Sequence, residues 1–393
     1  MRVLRVIGGL EPAFGGPSFT VVASAIAVAR APGVTVELTF PARDPATARN
    51  WPSVRALEAG GVAVSIHRLM PGRLARSLGC SLALARHLRR RARAVDIVHA
   101  DGAWVHASLA AVRAAGAAGR PAVLTPHEGF TRFDMARARL PMLRWLKVAL
   151  RRWYMRRLAA VAYSSELERA DSDDGGATAA QRVVIAHPVW DDSVSRPAPR
   201  RFGAVDAGRL RVGFLGRLHP KKNLDLLIAA LARLPSGVTL AVAGDGPPDY
   251  VGTLHAQAAS LGVAARVDWR GFLSGRARDD FLAGIDLLVM PSAYECFGMV
   301  AAEAMASGTP VLVSSATGVA EALAPVDPGL VVTPDVAALA GALTPLVADR
   351  GRLDRMAEAA VRAGGAYSYA EHGRRQVALY RALVATDATA ESA

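Results

Sequence analysis

Two carboxylates and two cations stand at spacings that suit recognition of a phosphorylated, hydroxyl-rich ligand. Glu295 and Glu303 both lie in MPSAYECFGMVAAEAMASGTPV (290–311). Arg217 and Lys222 lie in GFLGRLHPKKN (213–223). Carboxylates accept hydrogen bonds from hydroxyls. Arginine offers a forked donor and lysine a mobile point charge, so the cation pair suits a diphosphate. The apolar run IDLLVM (285–290) predicts a buried strand before Glu295. GMVAAEAMA (298–306) predicts a short helix carrying Glu303, stopped at Ser307-Gly308-Thr309-Pro310. A helix start leaves free N–H groups that favour an anion. Singly, each residue also fits a solvated loop acid or a turn cation. Their joint placement at strand ends carries the reading.

The elements that must position these groups fall into two α/β halves. In the first, RVLRVIG (2–8), VTVELTF (34–40), VAVSIHRL (62–69), DIVHA (96–100), AVLTPH (122–127) and AAVAYSS (159–165) read as strands with helices between them. A helix is expected from Phe19, after the loop GLEPAFGGPS (9–18). In the second, LRVGFLG (210–216), TLAVAG (239–244), RVDWRG (266–271), DLLVM (286–290), PVLVSS (310–315) and GLVVTP (329–334) repeat the pattern. Alternating strands and helices predict doubly wound parallel sheets, which bind ligands at the carboxyl ends of their strands. The expected boundaries are a first domain at 1–191, a Pro/Ser/Arg-rich linker at 192–209, a second domain at 210–365 and a terminal helix within 366–393. That helix is expected to pack back on the first domain and to fray at its end.

Composition narrows the classes. With 393 residues, 52% of them hydrophobic, the chain is long enough for two cores. Its two cysteines, Cys80 and Cys296, indicate no disulfide framework and fit a reducing cytoplasm. No apolar run reaches the length of a transmembrane helix, and MRVLRVIGG reads as a strand rather than a signal peptide. The net charge is +13, and residues 73–157 hold 18 Lys/Arg against four acids, so one segment carries the whole excess. Two basic helices are expected there, at 75–94 and 137–160. In the second, Arg144, Lys147 and Arg151 fall on one face and Met142, Leu146, Ala149 and Trp153 on another. An anionic membrane surface, with Trp145 and Trp153 near the interface, is one reading. A solvated basic face over a core helix is the other. Nothing resembles a zinc-binding or RNP-like motif, so nucleic acid is not expected.

GFLGRLHPKKNLDLLIAAL, AGDGP, WRGFL, PSAYECFGMVAAEAMASGTPVLVS and GLVVTPDVAALAGAL, in that order, resemble the second domain of glycosyltransferase family 4 across about residues 210–345. The first domain resembles it more weakly, through FGGPS (14–18) and the strand ending TPH (125–127). The resemblance implies a GT-B fold, in which two Rossmann-like doubly wound domains face a central cleft. It implies a retaining, metal-independent transferase of the EC 2.4 class, with a UDP- or GDP-sugar as cosubstrate and no cofactor. Two departures stand out. VIAHPVW (184–190) lacks the Asn-Gly pair usual at the interdomain turn, and HEGF (127–130) differs from the commoner sequences after the histidine.

Carried over residue by residue, the resemblance makes Arg217, Lys222, Glu295 and His127 the catalytic set. Arg217 and Lys222 would hold the diphosphate, Glu295 would contact the transferred sugar, and His127 would hydrogen-bond it near the reacting centre. Glu303 would accept from the ribose hydroxyls. Gly216, Phe297, Gly298 and Met299 would meet the donor at the strand end and helix start, Gly271 and Phe272 would face the base, and Gly15 and Gly16 would approach the phosphates. No metal ligands are expected, because the family that the chain resembles works without a metal. His99 and His106 could line the acceptor side or be structural, Asp96 and Asp101 receive no role, and Cys296 reads as a spacer. The acceptor expected is a lipid-linked saccharide in cell-surface polysaccharide assembly at the cytoplasmic membrane face. The alternatives are a sugar-nucleotide epimerase on the same fold and a catalytically silent membrane-associated binding protein.

Overall fold

The structure is a computed structural model that describes residues 1–11, 16–137, 141–172, 180–194, 198–202 and 208–391. The chain divides into two compact units, Met1–Asp191 with Tyr367–Ala393, and Asp192–Ala366.

The first unit holds a seven-stranded parallel sheet: β1 (Arg2–Ile7), β2 (Thr35–Ala42), β3 (Ala63–Arg68), β4 (Ile97–Asp101), β5 (Ala122–Thr125), β6 (Ala160–Tyr163) and β7 (Gln181–Val184). Their spatial order is β3-β2-β1-β4-β5-β6-β7. β4, β5 and β6 are buried along their whole length, as expected of strands covered by helices on both faces. One core layer packs Val3 and Ile7 against the helix Gly16–Ala29 and the terminal helix Tyr369–Glu391; the other packs Leu4 and Val6 against the helices Leu82–Arg91 and His106–Ala117. β7 is not among the strands expected from the sequence, because QRVV has no clear alternation and a partly exposed edge.

The second unit holds a six-stranded parallel sheet: β8 (Leu210–Leu215), β9 (Val238–Ala243), β10 (Val267–Gly271), β11 (Leu287–Met290), β12 (Val311–Ser314) and β13 (Val331–Val332). The order is β10-β9-β8-β11-β12-β13. In both sheets the winding reverses beside the first strand, between β1 and β4 and between β8 and β11. Such a reversal opens a crevice at the strand carboxyl ends.

The structure corrects two sequence expectations. Residues 75–94 are not one helix. The chain forms Arg73–Ser77, breaks at Gly79 with φ +64°, and restarts at Leu82 with Ser81 as N-cap. In the other basic segment the helix is Pro141–Met155, and its faces are not those expected. Arg151 is buried, with only 4% of its surface exposed, whereas Met142 and Leu146 are 72% and 54% exposed. The helix packs through Arg151, Tyr154 and Met155 near its end, and its first turns stand clear of the core. The charge pattern marked the helix but not which side its last turns bury.

Candidate active site

In the second unit, the loop after β8 carries Arg217 and Lys222 and the loop after β11 carries Glu295. The two loops are stitched together. The Ala293 amide donates to Lys221 O at 2.9 Å, and the Asn223 side chain donates to Pro291 O at 3.0 Å. Asn223 can reach across because it takes a left-handed conformation with φ 51°, which suits asparagine. This stitching sets Lys222 Nζ 2.5 Å from Glu295 Oε1, with both side chains mostly buried. Glu295 is fixed from its other side as well. Its amide donates to Ala316 O and its carbonyl accepts from Gly318 N, at 2.9 and 3.0 Å. Arg217 stands exposed at the end of β8 and makes no ion pair with any described residue.

The helix Met299–Ala306 begins beside this pair. Its N-cap, Gly298, has φ +105°, and a Cβ there would lie 2.7 Å from Thr317 Cγ2, so only glycine fits without displacement. The amides of Gly298, Met299 and Val300 have no hydrogen-bond partner among the described residues. They are the donors an anion would take. Glu303, one turn on, is not free. It pairs with Arg278 of the helix Arg276–Gly284. Below β9, Gly244 lets the AGDGP turn approach Gly216; a Cβ on Gly244 would lie 1.9 Å from Gly216 O. Gly271 has φ +64°, and Phe272 after it is 70% exposed.

In the first unit, His127 follows β5 with φ 49°. Its Nε2 lies 3.1 Å from Oδ1 of Asp101, the last residue of β4. Asp101 is 2% exposed and accepts twice from Arg5 of β1, at 2.9 and 2.8 Å. Burial opposes the charge on Asp101, but Arg5, His99 and His127 outweigh it and hold the carboxyl well below the usual range. An ionised Asp101 can only accept, so His127 donates to it through Nε2–H and turns Nδ1 away from this bond. His127 also stacks on His187, ring centroids 5.3 Å apart.

Behind them runs a buried chain. Arg5 donates to Ser24 Oγ at 2.5 Å, Ser24 Oγ meets His372 Nε2 at 2.6 Å, and His372 Nδ1 meets Ala186 O at 2.8 Å. The carbonyl requires a proton on Nδ1, so Nε2 accepts from Ser24. His99 bonds Tyr380 through Nδ1 and Thr125 through Nε2. Burial, then the Arg5 charge, lowers His99 to about 3. Burial lowers His372 to about 4, and His187 falls well below its ordinary value for the same reason. The space among these groups is only about 10 Å³.

The structure thus brings Lys222 and Glu295 into contact, with the start of the Gly298–Met299 helix beside them, and places Glu303 against Arg278. Gly15 lies outside the described residues, and Gly16 opens the helix Gly16–Ala29. His106 begins the helix His106–Ala117, apart from the His127 network. His99 is fully buried within that network, which is the structural alternative. Asp101, Arg5, Arg278 and His372 were missed. Arg5 did leave a signal, a lone cation inside an apolar strand, which must be paired when buried. Asp101 sits at the matching strand end. Arg278 and His372 leave none in the sequence. Among the described residues no group of three or more His, Cys, Asp or Glu side chains is arranged to hold a metal ion.

Residues 195–363 match the family described as glycosyl transferases group 1, and residues 15–188 match the glycosyl transferase 4-like domain. Together the two models span most of the chain and support a group 1 glycosyl transferase on the GT-B fold. Among its relatives, a 2-deoxystreptamine glucosyltransferase of Streptomyces kanamyceticus is 32% identical over 260 residues, 63% of this chain and 66% of the relative. A D-inositol 3-phosphate glycosyltransferase of Stackebrandtia nassauensis is 35% identical over 213 residues, 50% of this chain and 46% of the relative. The matches therefore span about half to two thirds of these curated relatives. Anabaena HepE, solved in complex with UDP and glucose, is similar in fold, with a TM-score of 0.72, 24% identity and coverage of 97% of this chain and 100% of that one.

Proposed function

We propose that the protein is a retaining, metal-independent glycosyltransferase that moves a sugar from a UDP- or GDP-sugar to an acceptor hydroxyl. The observation that carries this reading is the Lys222–Glu295 contact beside unpartnered amides at a helix start. Lys222, Arg217 and those amides take the diphosphate. Glu295 takes the hydroxyls of the transferred sugar, held in place by Lys222. Glu303, steadied by Arg278, takes the ribose hydroxyls, and the Gly271–Phe272 turn meets the base. To His127 we assign the sugar near its reacting carbon. With Nε2 committed to Asp101, its Nδ1 accepts from a sugar hydroxyl.

In the reaction the bond from C1 to the β-phosphate oxygen breaks, and a bond from C1 to the acceptor oxygen forms on the same face. The acceptor proton passes to the departing phosphate. Charge builds on that phosphate, so cations fixed beforehand stabilise the transition state more than the ground state. No cofactor has a role in this scheme. The acceptor we propose is a lipid-linked saccharide of cell-surface polysaccharide, met at the cytoplasmic face of a membrane. Among the described residues no helix is long and apolar enough to cross that membrane.

A panel of sugar nucleotides scored by thermal shift tests the reading. A donor at about 100 times its Kd should add about 2.7 kcal/mol to the stability of the unit that binds it. Transfer to an acceptor should persist in EDTA. No stabilisation by any UDP- or GDP-sugar would refute the donor assignment, and activity abolished by EDTA and restored by manganese would refute metal independence.

A further inference from the structure

The first unit carries two adjoining grooves lined by arginine. One, of about 340 Å³, lies along the helices Leu82–Arg91 and His106–Ala117, with Arg89, Arg93 and Arg113 over a floor of alanines. The other, of about 380 Å³, follows the helix Pro141–Met155 and is lined by Arg152, Arg156 and Arg157 with Trp145 and Trp153. They meet at Trp153, whose ring lies 4.7 Å from the Arg157 guanidinium carbon and 5.7 Å from that of Arg113. No carboxylate lines either groove. None of these six arginines forms an ion pair with a described residue, although exposed arginines elsewhere do, as in Arg49–Glu58, Arg201–Glu358 and Arg270–Asp268. Beside them the helix opens with Met142, Leu143, Trp145 and Leu146, which are 72%, 44%, 71% and 54% exposed.

Unpaired cations and uncovered apolar side chains on one face call for a partner that is anionic and apolar at once. We propose that this face docks on an anionic phospholipid bilayer, with the arginines on lipid phosphates and Met142, Leu143, Trp145 and Leu146 entering the interfacial layer. Arginine forks match phosphate oxygens, and tryptophan favours the boundary between water and acyl chains. Single-stranded nucleic acid would use the cations and Trp145 but gives Met142, Leu143 and Leu146 nothing to enter, so the bilayer is favoured. The inference deepens the proposed function and rests on its membrane-borne acceptor, yet lipid binding is read separately from sugar transfer.

Flotation of the full chain with vesicles tests it. The protein should float with phosphatidylcholine vesicles that contain about one-third phosphatidylglycerol, should not float with phosphatidylcholine alone, and should be released by about 0.5 M salt. Arg152→Gln with Arg156→Gln should weaken binding roughly 30-fold, about fivefold per arginine. Trp145→Ser with Leu146→Ser should weaken it too, because the apolar contribution is lost. Both variants should keep wild-type melting and sugar-nucleotide stabilisation, which shows that they fold. Absence of flotation with the anionic vesicles at low salt would overturn the proposal. So would binding that Trp145→Ser with Leu146→Ser leaves unchanged, or displacement of the protein from vesicles by an oligonucleotide at matched phosphate concentration. If vesicles bind and no sugar nucleotide does, the transferase reading fails and the docking surface stands.

Discussion

Acid should loosen the first unit well above the range where carboxylates titrate. His99, His187 and His372 are buried and neutral. Burial lowers His99 to about 3 and His372 to about 4, and places His187 well below 6.5. A histidine with a depressed folded pKa takes its proton more readily in the unfolded chain, so acid favours unfolding. The loss begins as pH falls through the unfolded value near 6.5 and continues down to the folded values. At about pH 5.5 an unfolded histidine is about 90% protonated and His99 and His372 are almost unprotonated, so each loses about 1.4 kcal/mol and the two together about 3 kcal/mol, with His187 acting in the same direction. That figure depends little on how far below 5.5 the folded values lie. The depressed carboxyl of Asp101 contributes nothing in this window. Its stabilisation is complete above about pH 4 and is lost only below that. Melting followed from about pH 7.5 to 5.5 should fall by roughly 6–12 °C, at about 2–4 °C per kcal/mol for a unit of this size. His372→Gln should flatten the slope, whatever it does to stability at neutral pH. Stability that stays level across this window would mean that the histidines are not held neutral, and the buried network would have to be redrawn.

Two further outcomes follow from the sites. Lys222→Ala should lower kcat by about 10²–10³, the scale of one lost transition-state donor; steady-state kinetics check it, and an undiminished kcat removes Lys222 from the chemistry. Asp101→Asn leaves Arg5 buried without its counter-ion and should destabilise the first unit by about 3–5 kcal/mol, measurable by urea unfolding; a loss under about 1 kcal/mol would show that the pair is not buried as described.

The fold was legible because parallel sheets write themselves as repeated apolar runs with helices between, and most expected strands lie within a residue or two of the observed ones. β7 escaped because an edge strand with partly exposed residues has no such run. The Lys222–Glu295 site was legible as two motifs, since loops at strand ends advertise themselves by glycine and charge. That the two side chains touch depends on Asn223 and Ala293 stitching the loops together, which no spacing reveals. In the first unit, His127 stood out but Asp101 did not. An aspartate at a strand end looks the same whether it is solvated or locked to a distant arginine. The helix Pro141–Met155 misled because charge periodicity was read as exposure, whereas packing at its end chose Arg151 for the inside.

The terminal helix has a temporal consequence. Residues 192–366 form a unit from one uninterrupted stretch, but the unit that begins at Met1 is completed by residues from 367 onward. His372 and Tyr380, which close the polar network around Arg5 and His99, leave a ribosome only after the whole second unit has been made. The strands of the first unit must therefore wait for residues made after the second unit, with their histidines unsealed while the middle segment folds. Stalled or C-terminally clipped chains should carry a finished second unit on an unfinished first one.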